Sequence, residues 1–148
     1  MNKGFHIFEV TEATEEYAVA IEKLLPQLSS SQHTFTLAQL QQLIESEGTL
    51  LFLIQTEEKI AGMLTLCCTY SPTGCKIWVE DVVIDSSQRG RSFGRKLVEH
   101  AIEYVRSNHP EATLMLTSRP SRVAANALYR AAGFSPKETN VYSMKFNN

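Results

Sequence analysis

The chain has 148 residues, 43% hydrophobic and 20% charged, with a formal net charge of −2. That is one domain's worth of an ordinary soluble globular chain, with no global electrostatic case for nucleic acid or an acidic membrane. No apolar run approaches the ~18 residues that span a bilayer, and the N-terminal MNKGFHIFEV lacks the apolar core of a signal peptide. The three cysteines, Cys67, Cys68 and Cys75, are odd in number and form no C-x-x-C. A disulfide framework or a metal site is therefore not expected, and they read as reduced residues of a cytoplasmic protein.

In chain order, Phe5–Val10 predicts a first strand. Thr11–Thr14 offers N-caps, Glu15 and Glu16 suit a first helical turn, and Tyr17, Ala20, Ile21, Leu24, Leu25 and Leu28 recur at helical spacing. Pro26 is expected to end or kink that helix. A polar loop follows at positions 29–33. Thr36 with Gln39 is a capping box that opens a second helix, carrying Leu37, Leu40, Leu43 and Ile44 on one face and ended by Gly48. Thr49–Gln55 and Ile60–Tyr70 predict a hairpin around Glu57-Glu58-Lys59, with Gly62 a candidate bulge. After the turn residues Ser71-Pro72-Thr73-Gly74, Lys76–Ile84 predicts a fourth strand. A third helix places Phe93, Leu97, Val98, Ala101, Ile102 and Val105 on one face. His109-Pro110 breaks the chain, and Thr113–Thr117 predicts a fifth strand. Ser121 is positioned to cap an alanine-rich helix, Val123–Ala132, stopped by Gly133. Phe134 and Val141–Phe146 predict the last strands. Hairpins followed by strand–helix–strand units predict a mixed α/β class with a largely antiparallel sheet.

The chemistry concentrates in Val82–Glu99. An apolar run, Val82-Val83-Ile84, breaks at Asp85-Ser86-Ser87 and passes through Gln88–Gly94 into a helix. A helix N-terminus carries free N–H groups and partial positive charge. Gly90 and Gly94 let the backbone approach a ligand, and Arg89, Arg91, Arg95 and Lys96 add charge. A phosphate or pyrophosphate is the expected guest; the alternative is a basic helix start with no ligand. A Walker loop is excluded by the missing Gly-Lys-Ser/Thr, and a dinucleotide fingerprint by the spacing of Gly90 and Gly94.

Arg89-Gly90-Arg91-Ser92-Phe93-Gly94 resembles the R-x-x-G-x-G/A loop of the GNAT-type N-acetyltransferases, with Ser92 where the usual R-G-x-G-x-G has glycine. Ser92 is expected to avoid positive φ and to adopt a helical conformation with its N–H toward the phosphates. Asn126-Ala127-Leu128-Tyr129 with Gly133-Phe134 resembles the family's second signature, on the helix after the fifth strand. The resemblance covers the whole chain in element order and implies one domain over 1–148. It also implies a mostly antiparallel twisted sheet of six to seven strands with about four helices, splayed between the fourth and fifth strands.

The same resemblance implies acetyl-CoA as co-substrate, no metal, and acyl transfer by direct attack to a primary amine of a small molecule or amino acid. A protein lysine or N-terminal acetyltransferase and a non-catalytic acetyl-CoA-binding module are the alternatives. Carried over by residue, the backbone of Val82, Val83 and Ile84 pairs with the pantetheine amides. The N–H groups from Arg89 through Gly90, Arg91, Ser92, Phe93 and Gly94 to Arg95 hold the pyrophosphate. Asn126 hydrogen-bonds the pantetheine arm, and the Tyr129 hydroxyl acts as general acid on the thiolate. Glu80, expected on one face with Trp78, Val82 and Ile84, is the candidate base, against a structural ion pair or a water in that role. His33 borders the expected acceptor loop as a base, a substrate contact or a plain surface residue. Arg119 and Arg122 are candidates for an acidic acceptor or the nucleotide phosphate, or are simply solvated. Relatives that dimerise make a homodimer a possible partner.

Overall fold

The computed structural model describes residues 4–30 and 33–147. They form β1 (Phe5–Glu9), α1 (Glu15–Leu28), α2 (Leu37–Glu45), β2 (Thr49–Thr56), β3 (Ile60–Ser71) and β4 (Gly74–Ile84). A 3-10 turn at Ser86–Gln88 leads to α3 (Phe93–Asn108), β5 (Thr113–Met115) and α4 (Val123–Ala131). Positions 31 and 32 of the expected polar loop lie outside the described residues. The chain divides into two compact units, Met1–Thr117 and Ser118–Asn148.

The first unit holds a five-stranded sheet in the order β1-β2-β3-β4-β5. The first three pairings are antiparallel and the last is parallel. Alternation assigns the faces. Leu51, Leu53, Met63 and Val83 share one core with Ala18, Ile21 and Leu24 of α1 and Leu40 of α2. The opposite face carries Phe52, Ile54, Leu64, Leu66, Ile77 and Val79, all buried, as are Phe93, Leu97, Val98 and Ala101 of α3. Phe52 meets the rings of His100 and Tyr104 edge-on, at 4.9 and 5.6 Å between centroids. Burial there disfavours the charged form of His100. The i, i+3, i+4 repeat in α3 is thus the imprint of one sheet face.

Local signals account for most boundaries. Thr14 accepts a hydrogen bond from the Tyr17 N–H at the start of α1, and Thr36 with Gln39 forms the full capping box of α2. Pro26 does not end α1, which runs on to Leu28 with the proline in its last turn. The proline withdraws the N–H that the Glu22 carbonyl, four residues back, would otherwise accept, and only Gln27 and Leu28 follow it in the helix. Gly48, with φ of 83°, lies three residues beyond α2.

Two irregularities shape β4. In the β2–β3 ladder, Ile54 pairs with Gly62 and Gln55 with Ile60, leaving Ala61 as an extra residue beside Gly62. In the β3–β4 ladder, Met63 pairs with Val83 and Thr65 with Glu80, so Asp81 and Val82 together oppose Leu64. Asp81 takes φ of 51° there. This β4 bulge advances the alternation by one residue. Glu80 therefore shares its face with Trp78 and Val83, and not with Val82 and Ile84 as expected from unbroken alternation.

The second unit, by itself, contains α4. Its N-cap is Arg122 with no side-chain cap, so Ser121 does not play that part. Gly133 takes φ of 112°, as a helix stop requires. The last strands expected at Phe134 and Val141–Phe146 are not formed among the described residues, which leaves five strands where six to seven were expected. Val141, Tyr142, Met144 and Phe146 are exposed; an apolar alternation alone does not make a strand without a hydrogen-bonded neighbour.

A Cβ at Gly62 would stand 2.5 Å from Ile84 Cδ1 and 2.7 Å from the Val83 carbonyl oxygen. Backbone cannot move aside as a flexible side chain can. Gly62→Ala is therefore expected to destabilise the protein by about 1–3 kcal/mol, read by urea denaturation; an unchanged midpoint would show that β4 can shift away from β3.

Candidate active site

The site begins where β4 loses a partner. On its β5 side, β4 pairs only at Lys76–Thr113, Ile77–Leu114 and Trp78–Met115. Among the described residues the edge from Val79 to Ile84 has no ladder on that side. Unpaired strand N–H and C=O groups are a template for an extended amide-bearing chain. Val82 and Ile84 are half-buried and Val83 is buried in the α1/α2 core.

Beyond Ile84 the chain makes the 3-10 turn and then the basic loop. Gly90 takes φ of 85°, and Ser92 takes φ of 64° with ψ of 23°. Ser92 is thus left-handed, where a helical conformation was expected. Its conformation is set by its place in the chain. A left-handed residue followed directly by the right-handed Phe93 turns successive N–H groups into one concavity, an anion nest. Forcing serine into this region costs about 1–2 kcal/mol. Ser92 is the N-cap of α3 but makes no side-chain cap, and the first turn of α3 carries no acidic residue. The first bond of the helix runs from the Lys96 N–H to the Ser92 carbonyl. The N–H groups of Phe93, Gly94 and Arg95 consequently have no intrahelical acceptor.

The arginines of this stretch are not equivalent. Arg91 donates to the Gln88 side chain at 3.0 Å and lies over the Phe93 ring at 4.7 Å. Phe93 is buried against Phe5, 5.4 Å between centroids, so its side chain anchors the helix start. Arg89 reaches the Ile84 carbonyl at 3.4 Å. Arg95 pairs with Glu99 one turn on, in the open.

Glu80 is exposed on the α1/α2 face of β4. Partial burial and then the charge of Asp81 push its carboxyl above the ordinary glutamate range. Burial first, then Glu80 and Asp81, likewise raises the Cys67 thiol. His33, in the loop before α2, has Nε2 buried without a hydrogen-bond partner among the described residues. That loop is tied to α1 by the Phe35 N–H donating to Glu22 at 2.9 Å.

The second unit carries the other expected residues. Tyr129 is buried, its ring edge-on to Phe134 at 6.1 Å. Asn126 donates from Nδ2 to the Arg119 carbonyl at 3.0 Å. Arg119 itself is exposed, and Ser118 Oγ is buried without a partner among the described residues. No group of His, Cys, Asp and Glu able to hold a metal occurs among the described residues, and no helix there is long and apolar enough to cross a membrane.

Sequence reasoning alone misses Asp85, which is buried beneath the loop. Its carboxylate pairs with Lys59 and accepts from Ser87 at 2.7 Å and Gln27 at 3.0 Å. These hydrogen bonds hold it well below the usual carboxylate range. The available signal is only an acidic residue closing an apolar strand, which reads equally well as a polar turn.

A partly unpaired strand thus runs into an uncapped helix start with a left-handed residue before it. The family model for the acetyltransferase (GNAT) family matches residues 12–134, and the chain belongs to that family. Solved structures of similar fold include an aminoglycoside acetyltransferase from an uncultured soil metagenomic sample, in complex with trehalose. It is 16% identical with a TM-score of 0.85, covering 99% of each chain. Glucosamine-6-phosphate N-acetyltransferase from Arabidopsis thaliana is 23% identical with a TM-score of 0.76, covering 97% of this chain and 99% of its own. An aminoglycoside N-acetyltransferase in complex with CoA is 13% identical with a TM-score of 0.78, covering 95% and 94%. A search of the curated proteins finds no match.

Because Ser92 occupies a glycine conformation, Ser92→Gly is expected to raise stability by about 0.5–1 kcal/mol, less than the full left-handed cost because glycine gains entropy when unfolded. Urea denaturation of both proteins checks this, and an equal or lower midpoint for the glycine variant would mean that the serine is not strained.

Proposed function

We propose that the protein is an acetyl-CoA-dependent N-acetyltransferase acting on a primary amine of a small molecule or amino acid. The observation that carries this reading is the continuity of the unpaired β4 edge with the nest at Ser92–Arg95. The first suits an amide-bearing pantetheine arm and the second suits a pyrophosphate. Family membership supports acetyl-CoA as donor, and relatives acting on aminoglycosides and on glucosamine-6-phosphate support a small amine as acceptor. The family match runs through both compact units, which supports treating 1–148 as one catalytic domain.

In this reading the neutral amine attacks the thioester carbonyl carbon. A β4 backbone N–H stabilises the tetrahedral oxyanion, and the C–S bond breaks as the carbonyl re-forms. The amine loses its proton to Glu80, directly or through water, and the departing thiolate receives one from the Tyr129 hydroxyl. Asn126 holds the pantetheine arm, while His33 and Arg119 face the acceptor. The raised Glu80 carboxyl suits a base that must take a proton near neutral pH.

The decisive assay is free-thiol release from acetyl-CoA over a panel of amines, with acetyl-CoA affinity measured by calorimetry. Gly94→Asp is expected to weaken acetyl-CoA at least tenfold, since one carboxylate in the nest repels the diphosphate. Tyr129→Phe is expected to lower kcat by about 10²-fold with affinity nearly unchanged. Binding without turnover on any amine would favour a non-catalytic acetyl-CoA-binding module.

A base at Glu80 gives kcat/KM an acidic limb. The carboxylate is the active form and its proton is held more tightly than in an ordinary glutamate. Activity therefore falls as pH drops through a value above the ordinary 4.5. Glu80→Gln is expected to lower the rate and abolish that limb; a limb that survives the substitution would assign it to another group.

A further inference from the structure

Asp85 has every polar atom engaged. Its N–H donates to the Ala61 carbonyl at 2.8 Å, and its own carbonyl accepts from the Gln88 N–H at 2.8 Å. One carboxylate oxygen accepts from Gln27 Nε2 at 3.0 Å; the other accepts from Ser87 Oγ at 2.7 Å and pairs with Lys59 Nζ. Gln27 holds two successive residues at once, because its Oε1 accepts from the Ser86 N–H at 2.7 Å. Its Nε2 also lies 3.4 Å from the Lys23 carbonyl within α1. Three parts of the chain distant in sequence therefore meet at one buried carboxylate: the last turn of α1, the β2–β3 turn and the exit of β4.

The contacts continue into the loop. Gln88, fixed through its N–H by Asp85, is buried and accepts from Arg91 through its side chain. Arg91 in turn lies over Phe93, the first residue of α3. No contact in this series is part of the nest, yet each fixes the backbone that enters it. An anion nest is effective only if its N–H groups already converge before the ligand arrives.

We propose that Asp85, gripped by Gln27 and Lys59, is the positioning group of the phosphate loop, holding the Ser86–Gln88 turn so that the N–H groups at Ser92–Arg95 are set for a diphosphate. This rests on the reading of that loop as the pyrophosphate site. Asp85 touches no substrate in this scheme; it acts through Gln88 and Arg91. The device also latches the end of α1 to the cofactor loop, so the helix leading to the His33 loop and the cofactor loop share one anchor.

Gln27 and Lys59 line an open surface groove of about 430 Å³ with Glu16, Val19, Lys23 and Glu58, so they can be replaced without opening the core. The test is CoA affinity by calorimetry for the wild type, Gln27→Met, Lys59→Met, Lys59→Arg and Gly94→Asp. It is run at a temperature where far-UV circular dichroism shows each protein folded. Gln27→Met keeps the volume and removes the hydrogen bonds to Asp85 and Ser86; Lys59→Arg keeps the charge. The expected result is a loss of about five- to tenfold for each methionine variant, as for a broken polar contact of ordinary strength, and rescue to within about twofold by arginine. Methionine variants that lower the melting temperature but bind CoA like the wild type, while Gly94→Asp does not, would overturn the positioning role alone. Absence of CoA binding by the wild type, or no effect of Gly94→Asp, would overturn the phosphate-loop reading and the proposal with it.

Discussion

The structure depends on how β4 is partnered. On one side it is paired with β3 along most of its length, through the bulge at Asp81–Val82. On the other, its pairing with β5 ends at Trp78. A strand held on one side stays extended and fixed, while among the described residues its other edge forms no ladder from Val79 to Ile84. The long β3–β4 hairpin supplies the rigidity, and the two helices on one face and α3 on the other keep the strand from rolling. An extended amide-bearing ligand satisfies the hydrogen-bonding groups of such an edge.

The passage out of β4 is governed by backbone conformation more than by side-chain identity. Asp81 and Ser92 are the two non-glycine residues with positive φ among the described residues. They stand at either end of the passage from β4 to α3. Asp81 marks the bulge that brings Val83, in place of Val82 and Ile84, onto the face of Glu80 and Trp78. Ser92 marks the nest at the start of α3. Strained backbone persists where its surroundings over-determine it. Here those surroundings include a buried aspartate tied to α1 and the β2–β3 turn, and a Phe93 ring locked into the core. The arginines are correspondingly diverse: Arg91 and Arg89 brace the loop, and Arg95 is matched by Glu99.

Much of this is legible in the sequence. The capping box at Thr36, the hairpin around Glu57–Lys59 and the apolar stripe of α3 are local patterns whose causes lie within a few residues. The strand–loop–helix passage is legible for the same reason. The bulge is not, because Asp81 reads as an ordinary polar strand residue unless its φ is known, and one unseen extra residue reverses every later side chain. Asp85 is not, because Gln27 lies 58 positions away and Lys59 reads as a solvated turn residue. At Ser92 the side-chain penalty alone predicts a helical conformation, and the loop's need for opposite-handed neighbours overrides it. The C-terminal alternation Val141–Phe146 shows the converse: a strand-like pattern whose residues are exposed and form no strand among those described.

The most direct test of the central claim is a crystal structure of the protein with CoA bound. The expected result is pyrophosphate oxygens within hydrogen-bond distance of the backbone nitrogens between Gly90 and Arg95, and pantetheine amides paired with the free edge of Val82–Ile84. CoA bound with its pyrophosphate away from that loop, or with the β4 edge left unpaired beside an ordered pantetheine, would contradict it.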